Sequence, residues 1–266
     1  MIRTNKNIKI IFKYVIAPLL ALWLFYSLYQ QIKAQPNLHQ SIDLIKEAPF
    51  GEEAWKFWLI IILALVNWGL EARKWQLLMK PLQSMSFFRA YKSVLSGLAL
   101  SLNTPNRMGE YGGRILYVKD GIRIKAISLS IAGSISQLIV TLFLGCGGLL
   151  YWLYFQNGYP HSIMGLPVFW IKILLLISSL VSVILTLFFF RLSWLIKLIE
   201  KIPTAAKFVK YINVLEEFTA KLLLRLLSLS FFRYLVFVIQ YILMLQVLNV
   251  EIYWIDAFWV ISILFL

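Results

Sequence analysis

Cysteine and histidine are almost missing from this chain, which in 266 residues has Cys146, His39 and His161 and no others. One cysteine makes neither a disulfide framework nor a metal-ligand spacing. The two histidines stand alone in segments that read as external loops, with no serine, cysteine or carboxylate at motif spacing. Acidic residues are also scarce, 12 against 26 Lys plus Arg, for a formal charge of +14. In a soluble protein such a charge would suggest nucleic acid. Here the basic residues cluster between apolar runs, where the positive-inside bias and anionic headgroups account for them, so no nucleic-acid partner is expected. No HExxH, nucleophile elbow or phosphate-binding loop occurs. Gly145-Cys-Gly-Gly148 has neither a preceding strand nor a basic neighbour. Long polar stretches are lacking too, which leaves no room for a soluble catalytic domain.

What the chain does contain is apolar: 61% of its residues, against 14% charged, with a mean hydropathy of +0.78. That composition excludes an ordinary soluble domain. The expected fold is all-α, a polytopic helical membrane protein forming one integral-membrane domain over residues 1–266. Arg3, Lys6, Lys9 and Lys13 precede an apolar run with no small-residue cleavage site behind it, so 10–31 is an uncleaved first span. Further spans are expected at 55–75, 127–154, 168–190 and 231–250. Residues 254–266 form a partial one, rising about 20 Å against a hydrocarbon core of about 30 Å, and the natural chain is expected to continue past it. Residues 33–53 and the turn at Glu251 and Asp256 are acidic, whereas the loops carrying Arg73, Lys74, Lys80, Arg89 and Lys92, and later Lys119, Arg123 and Lys125, are basic. The N-terminus is therefore expected on the cytoplasmic side of the cell membrane. Over 205–228, Phe208, Ile212, Leu215, Phe218, Leu222 and Leu226 share one stripe opposite Lys207, Lys210, Glu217, Lys221 and Arg225. This pattern predicts a basic amphipathic helix on the cytoplasmic surface. Ala126, Ser130, Gly133 and Ser134, with Gly145, Gly147 and Gly148 further on, predict close helix packing.

One stretch breaks the apolar pattern: SLNTPNRMGEYGGR, residues 101–114. The apolar run before it, 93–103, rises about 16 Å and cannot cross alone. Basic clusters flank the whole segment, so 93–117 is expected to be a re-entrant hairpin with its tip at Asn103, Thr104, Pro105 and Asn106. Thr104 is a plausible N-cap with Pro105 in the first helical position. Irregular backbone at membrane depth requires a polar cavity. Arg107, Glu110 and Arg114 then fall on one face at i, i+3 and i+7, and Glu110 to Arg114 is the favourable acid-before-base order. Two guanidinium forks can hold a phosphate while the glutamate positions them. Gly109, Gly112 and Gly113 permit close approach of a headgroup or another helix. Asn67 and Glu71, one turn apart, together with Arg73, are supporting candidates. The competing reading is an interfacial helix whose arginines snorkel to headgroups.

The run from Pro105 to Arg114, after Asn103 and the Glu71-Ala-Arg-Lys-Trp75 segment, resembles the signature of the lysylphosphatidylglycerol synthase transmembrane family, also described as flippase-like. The resemblance implies a polytopic membrane protein that binds, and as a flippase translocates, an anionic phospholipid or lipid-linked glycan. It also places Arg107, Glu110 and Arg114 at the headgroup site. No cofactor or metal is implied, and the expected role is lipid transport rather than enzymatic. Two departures stand out. Ser134, Ser136 and Gln137 occupy the helix where many members carry an acid–arginine pair, and the second Pro/Gly-rich motif of the family is not reached before Leu266. The aminoacyl-transferase domain of the bifunctional synthases is also absent. The alternatives are a membrane glycosyltransferase acting on a polyprenyl-phosphate-linked substrate, with Glu110 as its embedded carboxylate, or an accessory subunit of an envelope enzyme. Membrane lipids are the expected partners in the leading reading.

Overall fold

A computed structural model describes residues 25–27, 29–30, 33, 38–102, 104, 108–155, 162–163, 166–191 and 213–266. Most of the expected span 10–31, the hairpin residues Asn103, Pro105 and Arg107, and residues 205–212 of the expected amphipathic helix lie outside these. The chain divides into compact units of residues 1–54 and 55–266. The first contains α1 (Leu38–Glu47), a short amphipathic helix with no buried residue.

Among the described residues the regular structure of the second unit is helical apart from a two-residue antiparallel ladder pairing Ser162–Ile163 with Leu166–Pro167. Its helices are α2 (Ala54–Met79), α3 (Phe87–Ser101), α4 (Gly109–Ile115), α5 (Arg123–Phe155), α6 (Val168–Phe190), α7 (Ala220–Val247) and α8 (Trp254–Leu264). Among the described residues α2, α5, α6 and α7 are long and apolar enough to cross a membrane. α6 has the bounds that hydropathy predicts. α2 runs a turn further than expected, because no breaker occurs before Pro81 and Lys74 pairs with Glu71 one turn earlier. Its first half exposes Trp58, Ile62 and Val66, whereas its last turns bury Glu71, Ala72, Lys74, Trp75, Leu78 and Met79.

The expected amphipathic helix differs from the structure in two ways. Thr219 starts a new helix, its hydroxyl accepting from Leu222 N at 3.3 Å, so residues 220–228 are the opening turns of the spanning helix α7. Ahead of the cap, Asn213–Glu217 is a 3₁₀ turn. The described part of the apolar stripe faces protein: Leu215, Phe218 and Leu226 are buried in the main core with Trp75, Leu78, Ala90 and Leu129. A second core, Val140, Leu144, Tyr234, Val238, Ile242, Ala257 and Ile261, joins α5, α7 and α8. α7 closes at Asn249, whose φ of 57° places it in the left-handed region. Asparagine tolerates that region at the end of a helix.

Candidate functional site

α3 is longer than the apolar run suggests. Ser86 caps it by accepting from Arg89 N at 3.3 Å, which brings Arg89 and Lys92 into the helix rather than the loop. Even so its 15 residues rise only about 22 Å, and the seven of α4 about 10 Å. The two run antiparallel in backbone contact. A Cβ on Gly97 would lie 2.7 Å from Glu110 O, one on Gly109 would collide with Leu100 O, and one on Gly113 with the backbone of Ser96 and Gly97. Ser93 Oγ donates to Arg114 O at 3.0 Å across the same seam. Gly112 faces open space. α4 begins at Gly109, so Thr104 is not its N-cap residue. The Thr104 hydroxyl nevertheless accepts the helix's first amide, Gly109 N, at 2.7 Å. The proline at 105 is the reason sequence favours an earlier start, and the threonine side chain bridges the difference.

This seam aims Arg114 at Glu71. Arg114 is 3% exposed and its Nη2 donates to Glu71 Oε1 at 2.8 Å and also to Glu110 Oε1. The i,i+4 pair expected from sequence thus becomes a buried link to another helix. Glu71 is the hub. Its Oε2 takes Arg233 Nη1 of α7 at 2.8 Å and Lys74 Nζ at 2.9 Å. Asn67 holds Arg233 from one turn earlier: its Oδ1 accepts from Arg233 Nε at 2.9 Å, and its Nδ2 donates to Arg233 O at 3.3 Å. The shared face of Asn67 and Glu71 is therefore a clamp on α7. Arg73 falls outside it, because successive helical residues are about 100° apart and two steps carry it to the far side. There it is exposed and pairs with Gln76.

Lys74 and Arg233 are members of the site that sequence reasoning misses. Lys74, read as a loop residue free to snorkel, is 1% exposed. Its Nζ also reaches Gly133 O at 3.2 Å and Ser230 Oγ at 3.4 Å. Ser136 completes the floor, 2.9 Å from Ser230 Oγ and donating to Gly133 O at 2.7 Å. Gly133 makes this possible, since a Cβ there would meet Leu78 at 2.8 Å. Gly133 of α5 thus packs closely against Leu78 of α2 and exposes a carbonyl to a buried ammonium, whereas Ser134, expected in the same packing stripe, is exposed.

Electrostatically the cluster sets Glu71 and Glu110 against Lys74, Arg114 and Arg233. Its described members leave one unit of positive charge. Cations inside a membrane protein are expensive and mark functional polar paths. The guanidinium of Arg114 stands 5.5 Å from the centre of the Trp75 ring. Two donors here, Arg114 Nε and Trp75 Nε1, are buried with no hydrogen-bond partner among the described residues. Two side chains, Glu110 at 30% and Arg233 at 29% exposure, open the cluster to its surroundings. Among the described residues no three His, Cys, Asp or Glu side chains gather as a metal site would need.

Apolar spanning helices around a buried charge cluster define a polytopic membrane protein. The family model for the lysylphosphatidylglycerol synthase TM region matches residues 10–266, and the chain belongs to that family. Comparison with curated proteins and with solved structures returns no match.

Proposed function

We propose that this protein binds the anionic headgroup of a phospholipid or lipid-linked glycan and carries it across the cell membrane. Its role is binding and transport rather than bond-making chemistry. The observation that carries the reading is the buried, cation-rich cluster joining α2, α4 and α7 around Glu71. An anion is the ligand that a surplus of buried positive charge favours, and arginine forks suit phosphate oxygens. Arg114 binds the headgroup, Glu110 positions Arg114, and Arg107, from the same sequence motif, adds a further fork. The Gly97, Gly109 and Gly113 seam, which sets α4 against α3 in backbone contact, supports reading the pair as a re-entrant hairpin, since neither short helix is long enough to cross alone. The N-terminus faces the cytoplasm, because the basic loops on either side of the hairpin belong there.

The test uses liposomes reconstituted with the purified chain and containing fluorescent anionic lipid in phosphatidylcholine. The expected result is accelerated transbilayer movement of the labelled lipid, abolished by Arg107→Ala with Arg114→Ala. Movement no faster than in protein-free liposomes, with no binding of anionic lipid, sinks the reading.

A further inference from the structure

We propose that Lys74, Arg114 and Arg233 form a binding site for a phosphate-bearing anion, that the Glu71 carboxylate occupies the ligand's place, and that the headgroup binds by displacing it. The proposal rests on the lipid-binding reading and adds to it a site and an order of events.

Glu71 has the contacts expected of a captured anion. Three cations from three helices converge on its two oxygens, Arg114 on Oε1 and both Arg233 and Lys74 on Oε2, all within 2.8 to 2.9 Å. A phosphodiester carries the same single charge on two non-bridging oxygens, so it can take over these contacts, and with the displaced Glu71 still ionised its arrival brings the formal charge of the described cluster from +1 to zero. It also offers ester oxygens that a carboxylate lacks. The donors left over match that difference, since Arg114 Nε and Trp75 Nε1 are buried and unpartnered among the described residues. The route in is set by exposure. Glu71 and Lys74 are closed off, whereas Arg233 and Glu110 are partly open, so an arriving headgroup meets Arg233 first. Asn67 holds the Arg233 side chain through Nε, which keeps it on the ligand's path while Glu71 lets go. Once Glu71 is displaced, α2 loses its ion pairs to α4 and α7. Occupancy of the site is thereby coupled to the packing of the three helices.

The proposal predicts that Glu71 competes with the ligand. The experiment titrates the full chain in detergent micelles with headgroup-labelled phosphatidylglycerol, with labelled phosphatidylcholine as the neutral control. Glu71→Gln is expected to tighten phosphatidylglycerol binding about tenfold, within the usual span for coupled groups, and to leave phosphatidylcholine binding unchanged. Because Glu71→Gln strands Lys74 and can unfold the protein, the same change is also made on Lys74→Met, which leaves no stranded lysine. The affinity is expected to rise there as well. Inorganic phosphate titrated into the same samples distinguishes the source of the phosphate. Competition at millimolar excess only supports a lipid headgroup, and competition at equal affinity supports the site with the free anion as its ligand. If the wild-type chain binds phosphatidylglycerol and Glu71→Gln leaves that affinity unchanged or weaker in both backgrounds, the displacement proposal is overturned while the lipid reading stands. If neither phosphatidylglycerol nor phosphate binds the wild-type chain, the lipid reading itself falls.

Discussion

Among the described residues, two helix seams each bring three glycines together, and they serve different ends. In one, Gly97, Gly109 and Gly113 bring α3 and α4 into backbone contact. In the other, Gly145, Gly147 and Gly148 of α5 receive Leu266, Trp259 and Ile263 of the α8 segment, with a Cβ on Gly148 falling 2.8 Å from Trp259 O. The second seam is apolar. Its polar contacts lie beside it, Tyr151 Oη to Asp256 at 2.9 Å and Tyr234 Oη to Ser262 Oγ at 3.0 Å. The first seam has Arg114 directly after Gly113 and delivers that guanidinium to a carboxylate on a third helix. Close approach alone therefore does not mark a site. What marks it is close approach that buries a charge whose partners come from elsewhere in the chain.

The largest expected effect lies at the hub of the charged seam. Glu71→Ala strands the buried Lys74 and Arg114 and the half-buried Arg233, and breaking such a group costs about 3–5 kcal/mol. This is read as a fall in the thermal unfolding midpoint in detergent, partly restored by added anionic lipid. Next come the glycines. Gly113→Ala and Gly148→Ala each force overpacking of about 1–3 kcal/mol. Only the first should weaken binding of anionic lipid by the folded fraction, which a paired stability and lipid-binding measurement separates. Tyr234→Phe removes the hydrogen bond to Ser262 beside the apolar seam. The cost is about 1 kcal/mol, with headgroup affinity unchanged. The smallest effect belongs to Arg123→Ala. Its pair with Asp120 is surface-exposed, so the loss is at most about 1 kcal/mol. An equal effect of Gly113→Ala and Gly148→Ala on lipid binding would erase the distinction between the seams.

The bounds of α6 and the presence of α2, α5 and α7 are legible in hydropathy, because spanning a membrane is a local, compositional demand. The Glu110–Arg114 pair and the shared face of Asn67 and Glu71 are legible for a related reason, since helical periodicity places them together whatever surrounds them. Arg233 is not legible, lying 162 positions from Glu71 in a span where one arginine has no periodic partner. Lys74 is misleading for a different reason. An apolar helix ending in two basic residues has the same pattern whether those residues snorkel or are buried, and only the packing of α5 through Gly133 decides between them. The stripe from Leu215 to Leu226 likewise predicts an apolar contact without specifying it. Protein and membrane are equally apolar partners, and here the partner is protein.

Arg233 gives the most direct test of the central claim, because it belongs to the cluster by geometry and to no sequence motif. Binding of headgroup-labelled phosphatidylglycerol to the purified chain should fall about tenfold in Arg233→Gln, equivalent to about 1.4 kcal/mol. Phosphatidylcholine binding should stay where it was. Unchanged affinity for the anionic lipid in a folded Arg233→Gln protein would contradict the account.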